Sequence, residues 1–208
     1  EANAITRLRT AACSVIAARY LARPAAKRLA LFGTGVQGRA HALQMSGAYA
    51  LDEILVVPFD DPPDMPERIA AETGVATRFV SVEEAVGSAD LVVTASRATM
   101  PLFSGDMLRP GTFVAAVGSS LPHTRELDDT SLGRASIIAV EWRQQTLREA
   151  GDLVLASPAA LSPHKIVELG ELITGQVKGR HGDDAITVYK SVGVGLQDIA
   201  IAGLAYAR

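Results

Sequence analysis

Apolar residues at Ile5, Leu8, Ala12, Val15, Ile16 and Ala18 recur at helical spacing. They predict a helix over residues 4–22, which the Arg23-Pro24 step ends. Short, wholly apolar runs then alternate with helical stretches. Leu29-Ala30-Leu31-Phe32 runs straight into a glycine cluster and a helix over 36–47, and Ile54-Leu55-Val56-Val57 is the next strand. Prolines make 59–66 a loop, and a helix over 67–73 is ended by Gly74. A strand is predicted at 78–80. Ser81 then caps a helix whose first turn carries Glu83 and Glu84. Further strands are predicted at 91–94, 113–117 and 137–140. Arg125 and Glu126 are expected to start a helix and to pair with solvent or with each other. Past residue 150 the pattern changes: Ser162-Pro163 opens a helix through Ile166, Leu169 and Leu172, Ile186-Thr187-Val188-Tyr189 is a strand, and 191–206 is an Ala- and Gly-rich helix.

Strands that are apolar on both faces and alternate with helices imply a parallel sheet covered on both sides. The predicted fold is α/β, a Rossmann-type doubly wound parallel sheet over residues 25–150. Residues 1–24 and 151–208 are assigned to a second, incomplete lobe for dimerisation and substrate. Their terminal helices bracket the sheet, and their pairing is inferred from position alone.

Composition narrows the function classes. In 208 residues, Lys+Arg is 20 against Asp+Glu 23, a net charge of -3 that offers no electrostatic grip on nucleic acid. The lone Cys13 excludes an intrachain disulfide. The four histidines, His41, His123, His164 and His181, stand too far apart for a metal site, so no metal is expected. No apolar run is long enough to span a bilayer, and no signal-type stretch opens the chain. A reducing, cytoplasmic setting without a membrane partner is the expectation. The sequence starts at Glu1 rather than Met, as a trimmed or partial chain would.

Gly33-Thr34-Gly35-Val36-Gln37-Gly38 is a GxGxxG between a predicted strand and a predicted helix. In that context Gly33 permits the turn, Gly35 admits a pyrophosphate to the backbone, Gly38 lets helix and strand pack, and the helix N-terminus faces the phosphates. The bland reading is a structural βα turn. An acid about 20 residues further on commonly binds the ribose 2′-OH in NAD sites. Asp60 and Asp61 stand just past that place, either as ribose ligands or as solvated loop acids. No Arg or Lys lies between Arg39 and Arg68 to meet a 2′-phosphate. The expected cofactor is NAD(H) or NADP(H), leaning to NAD(H).

Ligands in such sheets bind beyond the carboxyl ends of the strands. Thr94-Ala95-Ser96 and Gly118-Ser119-Ser120 follow two of those ends, where a cofactor and substrate would meet, so Thr94, Ser96 and Ser119 are candidate cofactor contacts and Ser120 a candidate at the substrate. Ser119 and Ser120 also suit a plain turn before Pro122, and His123 suits a loop. No Gly-x-Ser-x-Gly elbow and no Walker-type Gly-Lys-Ser/Thr supports hydrolysis or phosphotransfer.

Several blocks, taken in order, resemble the ornithine cyclodeaminase/mu-crystallin family. They are Arg9-Thr10-Ala11-Ala12, the glycine turn with Val36-Gln37, Ala89-Asp90-Leu91-Val92-Val93-Thr94, and Val117-Gly118-Ser119 with Pro122 and Arg125-Glu126-Leu127-Asp128. The last is Thr187-Val188-Tyr189-Lys190-Ser191-Val192-Gly193 with Gln197-Asp198. The resemblance implies an NAD(P)-dependent enzyme of small amino or imino acids, usually a homodimer. It places Arg9 on the substrate carboxylate and the cofactor, a task that suits a planar guanidinium. It places Val36 and Gln37 over the pyrophosphate, and Thr94, Val117, Ser191 and Val192 along the nicotinamide.

Two departures shape the reading. Cyclodeaminases of this family carry an aspartate where Ser120 stands and a lysine near Thr124, and a serine without a partner is a poor general base. The family's imine reductases accept a serine there. Family members also have an N-terminal lobe before the Arg-Thr-Ala-Ala helix, so the expectation is either a partial chain or a natural short form that has lost part of the site. The resulting expectation is a reductase of a small cyclic imino acid or ketimine, like pyrroline-2-carboxylate reductases. The alternatives are an ornithine cyclodeaminase and a dinucleotide-binding protein without turnover.

Overall fold

The computed structural model describes residues 2–207. The chain enters through helix α1 (Ala2–Leu21), then β1 (Arg28–Phe32), α2 (Val36–Ala48), β2 (Glu53–Val57), α3 (Met65–Thr73), β3 (Ala76–Phe79), α4 (Val82–Ser88), β4 (Leu91–Thr94) and β5 (Phe113–Ala116). It continues through α5 (Asp129–Arg134), β6 (Ala135–Val140), α6 (Arg143–Glu149), α7 (Gly151–Val154), β7 (Ile166–Glu168), α8 (Leu169–Ile173), β8 (Ile186–Lys190) and α9 (Gly195–Tyr206). All pairings are parallel, in the order β3-β2-β1-β4-β5-β8-β6-β7.

The apolar runs are explained by burial on both faces. Leu29 and Leu31 join Ala17, Ala18, Leu21 and Met45 in one core layer, while Ala30 and Phe32 join Val86, Leu127 and Leu132 in the other. The alternation along one strand thus serves two separate helix layers. Ser81 caps α4 as expected, its hydroxyl accepting from the Glu84 amide at 3.2 Å.

The C-terminal third departs from the sequence reading. β7 and β8 come from beyond residue 150, and β8 lies between β5 and β6. The sheet therefore runs to Lys190, and a boundary at 150 does not divide it. Strand order is a tertiary property that local pattern does not encode. The helix expected from Ser162 through Leu172 is a 3-10 turn (Pro163–Lys165), then β7, then α8. Ile166 and Val167 pair with the edge of β6, and a capping box at Glu168 restarts the chain as a helix, its amide donating to Glu171 Oε2 at 2.7 Å. Residues 191–194 form a loop rather than the start of the last helix. Arg125 and Glu126 do not start a helix: α5 begins after Asp128, whose carboxylate accepts from the Ser131 amide at 2.7 Å. The terminal helices do meet, through α1 and α9 side chains described below.

The strand order reverses at β1, with β2 on one side and β4 on the other. In open parallel sheets the crevice at that point receives the ligand.

Candidate active site

The glycine turn occupies that crevice. Gly33 has φ +95, and a Cβ there would lie 2.6 Å from the Ala95 carbonyl oxygen. A Cβ on Gly38 would lie 1.8 Å from the Gly33 carbonyl oxygen. Both glycines are required by the chain's own packing. Gly35 differs: a Cβ there meets nothing within 4 Å. It caps α2 without a side-chain acceptor, so the first amides of α2 face open space, as an anion site requires.

Beside the turn is a cavity of about 560 Å³, walled by Gly33–Gly35, Pro58–Asp61 and Ser96–Ala98, within the usual size of a small-molecule site. Asp60 and Asp61 both line it. Asp61 is tied to the glycine turn, accepting from the Thr34 hydroxyl and from the Phe59 amide at 3.0 Å. Arg97 lines the same cavity from the end of β4. The loop after β2 carries no basic residue, and the sheet order brings this one across β1. The open space above Gly35, the free helix amides and the adjoining apolar slot fit a dinucleotide.

Thr94 and Ser96 do not stand free. The Thr94 hydroxyl donates to Glu126 Oε2 at 2.8 Å, and the Ser96 amide and hydroxyl each donate to Glu126 Oε1 at 2.7 Å. The Gly118 amide donates to Oε2 at 2.8 Å. Glu126 is fully buried and fastens the ends of β4 and β5 together. Ser119 is also buried, its hydroxyl donating to the Thr124 carbonyl at 2.7 Å and accepting from the Asp152 amide at 3.2 Å. Its side chain points into the protein rather than towards a cofactor. Ser120 is exposed, and Val117 is half-buried at the end of β5.

Behind this edge lies a second carboxylate. Asp152 Oδ1 accepts from the amides of Glu126 and Leu127 at 2.6 and 2.9 Å. Its Oδ2 is 2.9 Å from Lys190 Nζ, with both side chains fully buried. The two atoms are at ion-pair distance without the alignment of a hydrogen bond.

A third carboxylate shapes the loop after β8. Glu141 accepts from the Tyr189 hydroxyl at 3.0 Å, the Ser191 hydroxyl, and the amides of Val192 and Gly193 at 3.3 Å each. Ser191 is thereby turned inward, whereas half-buried Val192 remains at the edge. Burial, followed by the charge of Glu141, raises the Tyr189 hydroxyl well above its ordinary range. The same two causes push the Cys13 thiol up to about 11. Neither group supplies an anion at neutral pH.

Arg9 reaches this region from α1. Its Nε lies 3.2 Å from Asp198 Oδ1, and its Nη1 donates to Gln197 Oε1 at 3.1 Å. Gln37 lies at the first turn of α2. Its side-chain oxygen is buried without a hydrogen-bond partner among the described residues, and its carbonyl accepts from His41 at 2.7 Å. Val36 is exposed beside Gly35. The carboxyl edge of the sheet thus collects the glycine turn, Asp60, Asp61, Thr94, Ser96, Val117, Ser191 and Val192. Glu126, Glu141, Asp152 and Arg97 were not singled out as site residues in the sequence. Glu126 had a signal, an acid within a resembling block, but its pattern favoured a helix start.

A model of the ornithine cyclodeaminase/mu-crystallin family matches residues 1–208. The chain is 35% identical over 207 residues to ketimine reductase mu-crystallin of Mus musculus, covering 99% of this chain and 63% of that protein. It matches a probable ornithine cyclodeaminase from Bordetella pertussis Tohama I with TM-score 0.95 and 54% identity, over 97% of this chain and 65% of the other. It also matches Thermococcus litoralis Delta(1)-pyrroline-2-carboxylate reductase in complex with NADH and L-proline, with TM-score 0.92 and 30% identity, over 98% and 64%. The chain spans less than two thirds of the length of these relatives.

Proposed function

The chain belongs to the ornithine cyclodeaminase/mu-crystallin family, and we propose that it is the greater part of an NAD(P)-dependent reductase of a small cyclic imino acid or ketimine. One observation carries the choice of reaction. At the end of β5 the exposed side chain is the neutral Ser120, while the carboxylates of Glu126 and Glu141 are turned inward, each onto several donors. Cyclodeamination needs a group that takes a proton from the substrate amine or from water. Reduction of an already protonated imine needs none at that step.

When bound, a reduced nicotinamide supplies the hydride. The chain's own contribution is placement. The turn at Gly33–Gly38 would seat the pyrophosphate on the free amides of α2, and Asp60 or Asp61 would meet the adenosine ribose. Thr94, Val117 and Val192 would border the nicotinamide. Arg9 would hold the substrate carboxylate with its charge-assisted fork. Holding the two reactants together supplies much of the rate enhancement. Ser120 would orient the imine or a water.

The homodimer implied by the family belongs to the same proposal. Leu196, Ile199 and Leu204 on α9 are each at least 65% exposed, an apolar surface suited to a partner or a further lobe.

The test is a paired assay. Oxidation of NADH and NADPH is followed with Delta(1)-pyrroline-2-carboxylate and related cyclic imines, and ammonia release is followed with L-ornithine and NAD+. Imine-dependent oxidation without ammonia release supports the reductase. The similarity to a probable ornithine cyclodeaminase favours the second reading, which ammonia release would establish. Tight NADH binding with neither reaction would leave a cofactor-binding protein.

A further inference from the structure

We propose that Asp198 is a positioning residue which, with Gln197 and Gly193, holds the Arg9 guanidinium in the orientation that receives a carboxylate ligand. The inference rests on the assignment of Arg9 to a substrate carboxylate and adds to it the machinery that sets the fork.

A free arginine side chain has many rotamers and five N–H donors. Here the Arg9 side chain is only 12% exposed, and two of its donors are committed. Nε points to Asp198 Oδ1 at 3.2 Å, and one Nη1 hydrogen goes to Gln197 Oε1 at 3.1 Å. The other Nη1 hydrogen and both on Nη2 have no partner assigned by these contacts. The guanidinium also lies against the backbone of Gly193: a Cβ there would stand 2.6 Å from Nη1 and 2.8 Å from Nη2. Gly193 has φ +79 as well, a left-handed backbone that favours glycine.

That backbone is itself fixed. The Gly193 amide donates to Glu141 Oε1 at 3.3 Å, and its carbonyl accepts from Gln145 Nε2 at 3.2 Å. Asp198 is fixed too, since the Thr6 hydroxyl donates to its Oδ1 at 3.3 Å. The fork is therefore held along one edge and across one face before any ligand arrives. Rotamer freedom is lost in the free protein rather than on binding, which favours affinity and geometric selectivity. The anionic partner lowers the net attraction for a second carboxylate. The arrangement thus trades raw charge for direction, as a bidentate contact needs.

The experiment measures dissociation constants for pyrrole-2-carboxylate, a planar ring carboxylate that cannot be reduced at a C=N bond, in the presence of saturating NADH. NADH affinity and melting temperature are measured alongside. Asp198→Ala should weaken pyrrole-2-carboxylate about tenfold while leaving NADH affinity unchanged, and Asp198→Asn, which keeps an acceptor oxygen, should restore most of the loss. Gln197→Ala, which removes one hydrogen bond to Arg9 and a long one to the Val194 amide at the start of α9, should give a smaller loss of the same kind and serves if Asp198→Ala does not fold. In an Arg9→Lys background, Asp198→Ala should add little, because the two residues act as a unit.

If Arg9→Ala abolishes pyrrole-2-carboxylate binding and neither Asp198→Ala nor Gln197→Ala weakens it, the positioning role is overturned and the substrate assignment stands. If Arg9→Ala itself changes nothing, or the unsubstituted protein shows no saturable binding, the assignment of Arg9 fails and the inference with it. An equal loss of NADH affinity in Asp198→Ala, or additive effects in the Arg9→Lys background, would also overturn it.

Discussion

The Ser14 hydroxyl and His41 Nε2 meet at 2.8 Å in the fully buried seam between α1 and α2. His41 Nδ1 lies 2.7 Å from the Gln37 carbonyl, which can only accept. Nδ1 therefore carries the proton, and Nε2 accepts from Ser14. Burial holds His41 down to about 4, against an ordinary 6.5. The neutral ring is thus favoured by folding. Its contribution is complete above pH 6.5 and is lost as pH falls towards 4, because the unfolded chain takes up a proton that the folded chain refuses. Urea denaturation at pH 7 and pH 5 should show about 2 kcal/mol more loss in the parent than in His41→Gln. Equal losses would show that His41 is not held neutral.

The glycine turn separates folding from binding. Gly38→Ala puts a Cβ 1.8 Å from the Gly33 carbonyl oxygen, so the variant should melt far below the parent. Gly35→Val places its side chain in open space where the pyrophosphate would lie, so it should melt with the parent and fail to bind NADH. Fluorescence titration together with melting curves checks both. Undiminished NADH affinity in folded Gly35→Val would sink the assignment of the loop.

If the adenosine ribose sits in the cavity beside the glycine turn, as proposed, cofactor choice follows from opposing charges there. Asp60 and Asp61 disfavour a 2′-phosphate there, and Arg97 from β4 favours one. With Asp61 fastened to the glycine turn, NADH should bind at least as tightly as NADPH. A tenfold preference for NADPH in direct titration would reverse that order and point to Arg97.

The strands were legible because each is a short run buried on both faces, as at Leu91–Thr94 and Phe113–Ala116. The glycine turn was legible because its chemistry is local. The place of β8 was not, since nothing in Ile186–Lys190 records that Phe113 and Ile137 will flank Thr187. Ile166, Leu169 and Leu172 suit one helix as well as a strand followed by a helix, and pairing with β6 decides between them. The roles of Glu126 and Glu141 were hidden for a related reason: an acid looks solvated until the sheet brings several buried donors to it. Ser119 looked like a ligand contact, and its inward turn depends on Thr124 and Asp152.

The buried pair of Lys190 and Asp152 should behave as two charges that tolerate loss together better than singly. Lys190→Met leaves Asp152 uncompensated in the interior, at a cost of about 3–5 kcal/mol. Adding Asp152→Asn removes that charge while its amide oxygen still accepts from the Glu126 and Leu127 amides, which now use Oδ1. The double variant should regain much of the stability in urea denaturation. A double variant no better than Lys190→Met would show that the ammonium contributes packing rather than charge balance.

The sharpest comparison is between Arg9 and Ser120. If the reaction is imine reduction, Ser120 orients a water or the imine, and Ser120→Ala should cost about tenfold or less in kcat, below the usual contribution of a general base. Arg9→Ala removes charge-assisted bonds worth about 1.5–3 kcal/mol each, so kcat/KM should fall by several hundredfold or more. Part of that loss should appear in KM, because Arg9, in the proposed role, would bind the ground-state carboxylate as well as the transition state. Steady-state rates with Delta(1)-pyrroline-2-carboxylate and NADH measure both variants. A Ser120→Ala enzyme as impaired as Arg9→Ala would mean that the hydroxyl takes part in proton transfer. The neutral edge at the end of β5 would then no longer distinguish reduction from deamination.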